Sequence, residues 1–367
     1  MVQPFGIFGL GKQKSRIGID IGTLSIKIVE LSEENGRPKL QNYGVLTNYG
    51  LSAADLSPNP QGQKSQKAFG GEAVIMLKRL MKEAGILAGT INMSVPIFSS
   101  FLTSIEFPPM PESEIASAIQ FEAKKYIPVS LESVVIDWIL VDRMSGVPSG
   151  HLPQGDKSSV ILIAIPKDLL NEYTNIARES GLKLSTIELE TVSAARALIG
   201  NDPVPAILLD MGSRDTTISV VDGGFIRISH SIETSGEDLT RALANSLNIN
   251  WLRAEELKKQ NGIMMMDSNS QIANVLNPLL AVITKSIQNI ADVYFGKTKK
   301  KIEKLIIYGG ASKMPGFAEY LHGSLAIDVA VGNPFSRVAY DEKIKPLISE
   351  IGHEFAVATG LALKEFA

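Results

Sequence analysis

The sequence predicts an α/β protein built from two related domains that face each other across a cleft. Two segments about half a chain apart, IGIDIGTLSIKIVEL (17–31) and ILLDMGSRDTTISVVDGG (207–224), share one pattern. In each, a strand ends in Asp-x-Gly, a turn with hydroxyl groups follows, and a second strand returns; the alternating apolar residues of the first segment predict a half-buried sheet. A third glycine turn follows a strand in LIIYGGASKMPG (305–316). One such turn is most often only a turn, but three in order indicate a shared phosphate-binding site.

Composition is that of an ordinary protein of two domains. The 367 residues are enough to bury two cores, and the formal net charge of −3 gives no overall attraction to nucleic acid. The chain contains no cysteine, which excludes disulfides and thiolate metal sites. Its four histidines are scattered without the spacing of metal ligands.

The sequence favours a cytoplasmic location. No apolar run approaches the ~18–20 residues that a membrane-spanning helix needs. At the start of the chain, the positive charges follow the apolar segment Pro4 to Leu10, and no small-residue cleavage site is present. This order is not typical of a secretory signal. The segment could contact a membrane surface or a partner, or be a frayed terminus packed locally, and we leave both interpretations open.

Strand and helix signals alternate through the first half of the chain. The segment PKLQNYGVL predicts a third strand, Leu51 to Lys67 predicts an exposed mobile loop, and Gly71 to Gly85 predicts a helix. Strands are then predicted in TINMSVP, FLTSIEF, SVVIDWILVD and SSVILIAIP, and helices from about Ser113 to Tyr126 and in DLLNEYTNIARESG. We expect residues 94–182 to form a β-β-α-β-β-α packet with its own core.

The second half predicts helices in GEDLTRALANSLNI and from about Ser270 to Tyr294. Apolar residues of the second helix recur every three or four positions, which favours a stripe that faces a core. The basic run KTKKKIEK (297–304) is most simply a solvated turn, and a lipid or phosphate contact is the less favoured alternative.

The three turns resemble the phosphate-1, phosphate-2 and adenosine motifs of the actin-like ATPase superfamily. ETVSAARAL (from Glu190) and EFAVATGLAL (from Glu354) resemble its two connecting helices. Within this superfamily the chain is most similar to the PilM family of type IV pilus assembly. The segments that carry this similarity are FGLGKQKSRIGIDIGTLSIKIVEL, IEFPPMPESEIASAIQFEAKKYIP and GLKLSTIELE.

The resemblance covers nearly the whole chain and implies an architecture. We expect duplicated actin-like (ribonuclease H-like) domains around a nucleotide cleft, with an inserted subdomain 1C of the kind found in the division protein FtsA. Subdomain 1A would comprise residues 1–93, the connecting helix region 183–202 and residues 341–367, and subdomain 1C would comprise residues 94–182. Subdomain 2A would comprise residues 203–236 and 299–340, and subdomain 2B residues 237–298.

The resemblance also implies a site for ATP with Mg²⁺. Asp20 and Asp210 would flank the ion through waters, because Mg²⁺ gives up its water shell reluctantly. The residues that would hold the phosphates from one side are Gly22, Thr23, Leu24, Ser25 and Lys27, and those on the other side are Gly212, Ser213, Arg214 and Thr216. The adenosine would lie against Gly309, Gly310, Ala311 and Ser312, where the two glycines have no Cβ to obstruct it.

Five residues bear further on the chemistry. Glu255 and Lys258 resemble the helix that contributes ribose and base contacts, and an ordinary exposed i,i+3 pair is an equal alternative. Glu190 corresponds to the position near the attacking water, which it would orient as a general base.

Leu24 and Arg214 depart from the motifs, because many relatives have small residues at these two positions. Arg214 either reaches the γ-phosphate or points to solvent. We therefore expect nucleotide binding, and at most slow hydrolysis.

The leading functional hypothesis is a nucleotide-dependent assembly protein. The partner implied by the resemblance is the N-terminal cytoplasmic peptide of a PilN-like membrane protein, bound between the first domain and the inserted subdomain. Candidate lining residues are Ile119, Lys124 and Tyr126. Such a protein would reach the inner membrane only through its partner, and self-association is possible.

Two alternatives have the same fold. An FtsA-like division protein would polymerise at the membrane, but the final EFAVATGLALKEFA is already used by the second connecting helix, without a terminal amphipathic helix. A sugar or acetate kinase would need an acidic residue to act as base for a substrate hydroxyl, and the sequence offers no extra Asp in a suitable turn.

Overall fold

The computed structural model describes residues 16–47, 70–87, 89–108, 110–141, 158–264 and 271–366. The apolar segment from Pro4 to Leu10 and the loop from Leu51 to Lys67 lie outside the described residues. Within the described ranges, no helix combines the length and hydrophobicity that a membrane crossing requires.

The first sheet has five strands in the order β3-β2-β1-β4-β8. Its members are β1 (Ile17–Ile21), β2 (Ser25–Glu34), β3 (Arg37–Thr47), β4 (Thr90–Val95) and β8 (Lys183–Leu189). Strands β1, β2 and β3 form antiparallel pairs, whereas β4 runs parallel to both β1 and β8. All five residues of β1 are buried, so the expectation that this strand is only half-buried is wrong. The reason is that β1 lies between β2 and β4 and that Ile17, Ile19 and Ile21 belong to a large apolar core.

The second sheet repeats this arrangement, with the order β11-β10-β9-β12-β13. Its members are β9 (Ala206–Met211), β10 (Thr216–Asp222), β11 (Phe225–Ile232), β12 (Lys304–Tyr308) and β13 (Asp328–Val331). An antiparallel three-stranded unit is again followed by two parallel strands. The duplicated α/β architecture predicted from the two Asp-x-Gly turns is therefore confirmed.

A third, smaller sheet contains β5 (Phe101–Phe107), β6 (Val134–Leu140) and β7 (Ser158–Pro166), in the antiparallel order β5-β7-β6. Helix α2 (Glu112–Tyr126) covers one face through Ile115, Ile119 and Ala123. The TINMSVP strand, which we expected to open this packet, is instead β4 of the first sheet. Helix α3 (Lys167–Glu179) packs on strand β8 and on helix α1 (Gly70–Glu83).

Helices α4 (Glu190–Leu198) and α10 (Ala356–Ala362) cross in close contact and confirm the two helices predicted from Glu190 and Glu354. The contact depends on glycine, because a Cβ on Gly360 would lie 1.8 Å from the Ser193 carbonyl oxygen. Beside the crossing, Glu188 is fully buried and accepts hydrogen bonds from Ser193 and Arg196, and from Lys364 near the chain end.

The remaining helices cover the second sheet and the chain end. They are α5 (Gly236–Leu247), α6 (Trp251–Gln260), α7 (Gln271–Thr298), α8 (Phe317–Leu325) and α9 (Lys345–Ile351). The periodic stripe of α7 is confirmed as core, since Leu276, Ile283, Ile287 and Tyr294 are buried. In the basic run after α7, Lys300 pairs with Asp222 and Lys304 with Asp202.

Candidate functional site

A cavity of about 1660 Å³ lies between the first and second sheets. All three glycine turns reach it, although they are separated by up to 290 positions in the sequence. They meet because β1, β9 and β12 each end at this cavity, where the next residues form the turns. The ends of such strands are where ligands bind in open α/β sheets.

The first turn joins β1 to β2 through a tight backbone hydrogen bond from Gly22 N to Ser25 O of 3.0 Å. Asp20 and Lys27 are cross-strand neighbours in this hairpin, and the Lys27 Nζ lies 3.6 Å from Asp20 Oδ2. The five predicted phosphate contacts of this turn all line the cavity, namely Gly22, Thr23, Leu24, Ser25 and Lys27.

The second turn joins β9 to β10 and rests on the start of α5. Gly236 N donates to Gly212 O, and Glu237 N donates to Ser213 O, both at 3.0 Å. Gly212, Ser213 and Arg214 line the cavity as predicted. Thr216 does not line it, since this buried residue donates its hydroxyl proton to the Thr234 carbonyl oxygen at 2.7 Å.

The third turn needs glycine for two reasons. Gly309 has a φ of +88°, and a Cβ there would lie 2.3 Å from Asp210 Oδ1. Gly310 and Ala311 also line the cavity, whereas Ser312 is buried and donates its hydroxyl proton to Gly309 O. Sequence reasoning could not foresee that both hydroxyls bond to backbone carbonyls, Ser312 within its own turn and Thr216 to Thr234, just before α5.

The third turn is also attached to the last part of the chain. Gly309 N donates to the His353 carbonyl oxygen at 3.2 Å. Four residues further on, Lys313 donates to the Ser349 carbonyl oxygen at 2.7 Å, near the end of α9. The turn therefore links β12 of the second sheet to the segment that leads into α10.

Glu255 and Lys258 on α6 form an ion pair of 2.7 Å beside the cavity, in which Lys258 is buried and Glu255 half-buried. The Lys258 ammonium also donates to Gly236 O and to the Thr240 hydroxyl, both at 2.8 Å. The alternative of an ordinary exposed i,i+3 pair is therefore wrong. Burial raises the pKa of Glu255, but Lys258 and Thr240 reverse this effect and lower it overall. Burial lowers the pKa of Lys258.

Among the acidic side chains that line the cavity, four interact electrostatically with one another across the two halves of the protein, namely Asp20, Glu190, Asp210 and Asp215. Burial, followed by repulsion from Asp215 and Asp20, raises the pKa of Asp210 to about 8. Burial and the same kind of repulsion, from Asp215 and Asp210, raise the pKa of Glu190 well above its usual range. A cation beside these carboxyl groups would relieve the repulsion and favour their ionised forms.

Sequence reasoning missed Asp215, which follows Arg214 in the second turn. The Asp-x-Gly pattern drew attention to the first acidic residue of this loop, and the later one has no separate motif. Its position could have been suspected from its distance of five residues after Asp210, across a single tight turn. The carboxylate of Asp215 accepts a hydrogen bond from Thr217.

The residues present fit a divalent cation that keeps most of its waters. Among the described residues, no three acidic or histidine side chains come close enough to hold a metal ion by themselves. Mg²⁺ usually binds through one or two carboxylates, waters and phosphate oxygens, rather than in a cage of protein ligands. Asp20 and Asp210, on opposite walls of one cavity, are suited to such indirect binding.

The carboxylate of Glu190 is positioned by the first connecting helix, of which it is the first residue. Its Oε1 accepts a hydrogen bond of 3.0 Å from the backbone N–H of Ile97. This contact joins the cavity wall to the point where the chain enters the three-stranded sheet. No motif in the sequence predicted it.

Comparison with known proteins identifies relatives along almost the whole chain. The family model described as type IV pilus assembly protein PilM matches residues 18–366. A chain of the solved structure "PilM-PilN type IV pilus biogenesis complex" is 25% identical, with a TM-score of 0.79, and the alignment covers 97% of this chain and 100% of that one.

More distant relatives share the fold. Cell division protein FtsA of Enterococcus faecalis is 20% identical over 346 residues, which cover 84% of this chain and 76% of FtsA. MreB 5 of Spiroplasma citri bound to AMPPNP is 14% identical, with a TM-score of 0.52 and coverage of 94% and 93%. The actin-like fold expected from the three turns is confirmed by these similarities.

Proposed function

This chain belongs to the PilM family of type IV pilus assembly proteins, and from that premise we propose that it binds Mg–ATP and a partner peptide in one continuous cavity. The peptide would be the N-terminal cytoplasmic tail of a PilN-like inner-membrane protein. The observation that carries the proposal is the convergence of three glycine turns and four carboxyl groups on this cavity.

Each wall of the cavity would have its own role in nucleotide binding. Backbone N–H groups of the first and second turns, with Lys27 and Arg214, would hold the phosphates. Gly309 and Gly310 leave room for the adenosine, and the pair of Glu255 and Lys258 is placed beside it for the ribose and base. Bound Mg²⁺ would neutralise phosphate charge, with Asp20 and Asp210 orienting its waters.

The proposed chemistry is binding with at most slow hydrolysis. Glu190 is the group suited to orient a water, and its Oε1 accepts a hydrogen bond from the Ile97 N–H. Slow turnover is expected because Leu24 and Arg214 stand in the phosphate turns, where many members of the superfamily have small residues. ATP would therefore act as a ligand that sets a conformational state.

The partner half rests on the end of the cavity next to the three-stranded sheet. The side chains that line this end include Phe101, Leu102, Tyr126 and Ile127, and Val45 of β3 also lines the cavity. Tyr126 is 45% exposed. Ile119 is buried under α2 and Lys124 is absent from the cavity wall, so neither supports the lining suggested by the sequence. The similarity to a chain of the PilM–PilN complex supplies the partner class for this proposal.

The same premise suggests where the protein acts. We place it in the cytoplasm at the inner membrane, where it would be held by its partner, and we propose that nucleotide state controls assembly of the pilus platform. The division of the chain into subdomains 1A, 1C, 2A and 2B remains part of this proposal.

Thermal unfolding with and without Mg–ATP tests the nucleotide half. Ligand at one hundred times its Kd stabilises the folded state by about 2.7 kcal/mol, which appears as a rise in Tm. Asp210→Ala should abolish the Mg²⁺-dependent part of that rise. Asp328→Ala, which removes an exposed carboxylate on β13 away from the cavity, is the matched control. Unchanged ATP affinity in Asp210→Ala would show that the second turn is not part of the nucleotide site.

Fluorescence anisotropy with a labelled N-terminal peptide of the PilN-like protein tests the partner half. Tyr126→Ala should weaken binding, because it removes an exposed aromatic side chain from the groove. Phe121→Ala is the control, since Phe121 is 72% exposed on the same helix but does not line the cavity. Equal effects of the two substitutions would contradict this groove.

A further inference from the structure

A single short turn separates the two ends of the cavity. The chain leaves the first sheet at Val95, passes through Pro96 and the 3₁₀ turn Ile97–Ser99, and enters β5 at Phe101. Residues of this turn line the cavity together with Glu190 and Asp210 on one side and with Leu102 and Ile127 on the other. A displacement of the turn would therefore change both ends.

The turn is held by hydrogen bonds and by the buried side chain of Ile97. Within it, Ser100 N donates to Ile97 O at 2.9 Å, and the Ser100 hydroxyl donates to Pro96 O at 3.1 Å. The Ile97 N–H points out of the turn and donates to Glu190 Oε1. Strand β11 of the second sheet contacts both the turn and β5, so the turn touches both large domains.

The acceptor of this hydrogen bond has an unusual setting. Glu190 is buried close to Asp210 and Asp215, and the part of the chain that the structure describes contains no ion pair to it. The Ile97 N–H therefore provides the direct stabilising contact of this carboxyl group. A cation or a polarised water at the phosphate end would offer Glu190 a stronger interaction than a neutral backbone donor.

We propose that the hydrogen bond between Ile97 N–H and Glu190 couples nucleotide occupancy to peptide binding. In the nucleotide-free protein, the carboxylate holds the Pro96–Ser100 turn against the first connecting helix. When Mg–ATP occupies the cleft, Glu190 turns to the phosphate end and releases the Ile97 N–H. The turn and β5 then move, and the peptide groove changes shape. This inference rests on the proposed function, because it requires both ligands.

The chain permits removal of the donor with little disturbance of the backbone. Ile97 is the first residue of a 3₁₀ turn. Residues of a 3₁₀ helix have a φ of about −50 to −70°, which suits proline. Pro96 has φ −70° and ψ 144°, which is the conformation preferred before a proline. Ile97→Pro therefore deletes the N–H while the turn can keep its shape. Ile97→Ala retains the N–H and controls for loss of the buried side chain.

The test measures the peptide Kd by anisotropy in the presence and absence of a non-hydrolysable ATP analogue with Mg²⁺. In the native protein, the two Kd values should differ at least fivefold, which is the lower end of typical coupling between sites. In Ile97→Pro the ratio should approach one, and in Ile97→Ala it should remain close to the native ratio. A variant that weakens peptide binding equally with and without the analogue leaves the ratio of the two Kd values unchanged.

Hydrogen–deuterium exchange provides a second measurement that does not depend on the peptide. Exchange of the Ile97 amide should accelerate when the analogue binds to the native protein. A native ratio in Ile97→Pro, a ratio near one in the native protein, or unchanged exchange at Ile97 would overturn the proposal. Failure of the native protein to bind the nucleotide or the peptide at all would instead contradict the proposed function.

Discussion

Glu188 illustrates at the level of one residue how this fold holds a charge inside its core. Its side chain is fully buried, and Arg196 donates to both carboxylate oxygens at 2.6 and 3.1 Å. Lys364 donates to Oε2 at 3.1 Å and Ser193 to Oε1 at 2.6 Å. Burial alone would raise the pKa of this carboxyl group, but Arg196 and Lys364 lower it to about 2.

Glu188→Gln should lower the free energy of unfolding at pH 7 by about 3–5 kcal/mol, because it leaves two buried cations without their counter-charge. The lowered pKa also predicts a pH dependence. The ionised group stabilises the fold above its unfolded pKa of 4.5, and this contribution of about 3 kcal/mol is lost as the pH falls from 4.5 towards 2.

Urea unfolding of the native protein and of Glu188→Gln at several pH values between 7 and 3 measures both effects. The difference in stability between the two proteins should shrink as the pH falls below 4.5. Glu342→Gln, at an exposed ion pair with Lys345, is the control and should leave stability nearly unchanged. A constant difference across the pH range would show that Glu188 acts by packing alone.

Asp210 should produce the opposite pH dependence in the protein without nucleotide or Mg²⁺. Its pKa is raised to about 8 by burial and by neighbouring carboxylates, so the folded protein binds a proton that the unfolded chain has lost. Stability should therefore rise as the pH falls from about 8 to about 4, by at most about 1.4 kcal/mol for each pH unit.

Asp210→Asn should remove most of this dependence and make the ligand-free protein more stable at pH 8. Urea unfolding at pH 6 and pH 8 in the presence of a chelator measures both. If the substitution destabilises the protein at pH 8, the Asp210 carboxylate is not under the repulsion that the geometry indicates.

At the scale of an element, the crossing of α4 and α10 shows how a missing side chain determines helix packing. The backbone of α10 approaches α4 so closely that only glycine fits at position 360. A second glycine, Gly18 of β1, allows the same helix to lie on the first sheet, since a Cβ there would be 2.0 Å from Ala358 O. These two contacts place the second connecting helix between the first sheet and the first connecting helix.

Gly360→Ala should therefore lower the free energy of unfolding by about 3 kcal/mol or more, because overpacking against a rigid backbone cannot be relieved by a side-chain rotation. Gly323→Ala is the matched control, since Gly323 lies in helix α8 and a Cβ there meets no atom within 4 Å. That variant should be neutral or more stable by about 0.5–1 kcal/mol. Thermal and urea unfolding of both variants measures these changes in stability. Equal stability of the two variants would contradict the close crossing.

The elements also show which parts of the fold can be predicted from sequence. The hairpins β1–β2 and β9–β10 were predicted because their pattern is local, and both connecting helices begin at or close to the predicted residue. The pairing of β4 with β1 and β8 was not predicted, because it joins residues about 70 and 90 positions apart. The burial of Lys258 was missed for the same reason, since Gly236 and Thr240 lie on another helix.

For the whole molecule, the size of the cavity is the feature with the clearest consequence. Its volume of about 1660 Å³ exceeds the 300–1,000 Å³ that is usual for a small-molecule pocket. The carboxyl groups on its walls repel one another across the gap, and bound cation and phosphate would replace this repulsion with attraction. The two large domains should then approach each other.

Small-angle X-ray scattering should detect this closure as a smaller radius of gyration with Mg–ATP than without ligand. Asp210→Ala should show no change, because it removes the carboxylate that the second domain contributes to the cation. A radius that stays constant in the native protein under saturating ligand would contradict closure, and would also limit any effect on the peptide groove to local movement.

The attachment of the third glycine turn determines how such a movement can proceed. Its backbone and Lys313 hold the segment that leads into the second connecting helix, whereas the first two turns are held by their own domains. We expect the cavity wall around Gly309 to move least when the cleft opens or closes. The opposite wall of the cavity would move most. During release of the nucleotide, the contacts to its phosphates would then break first and those to its base last.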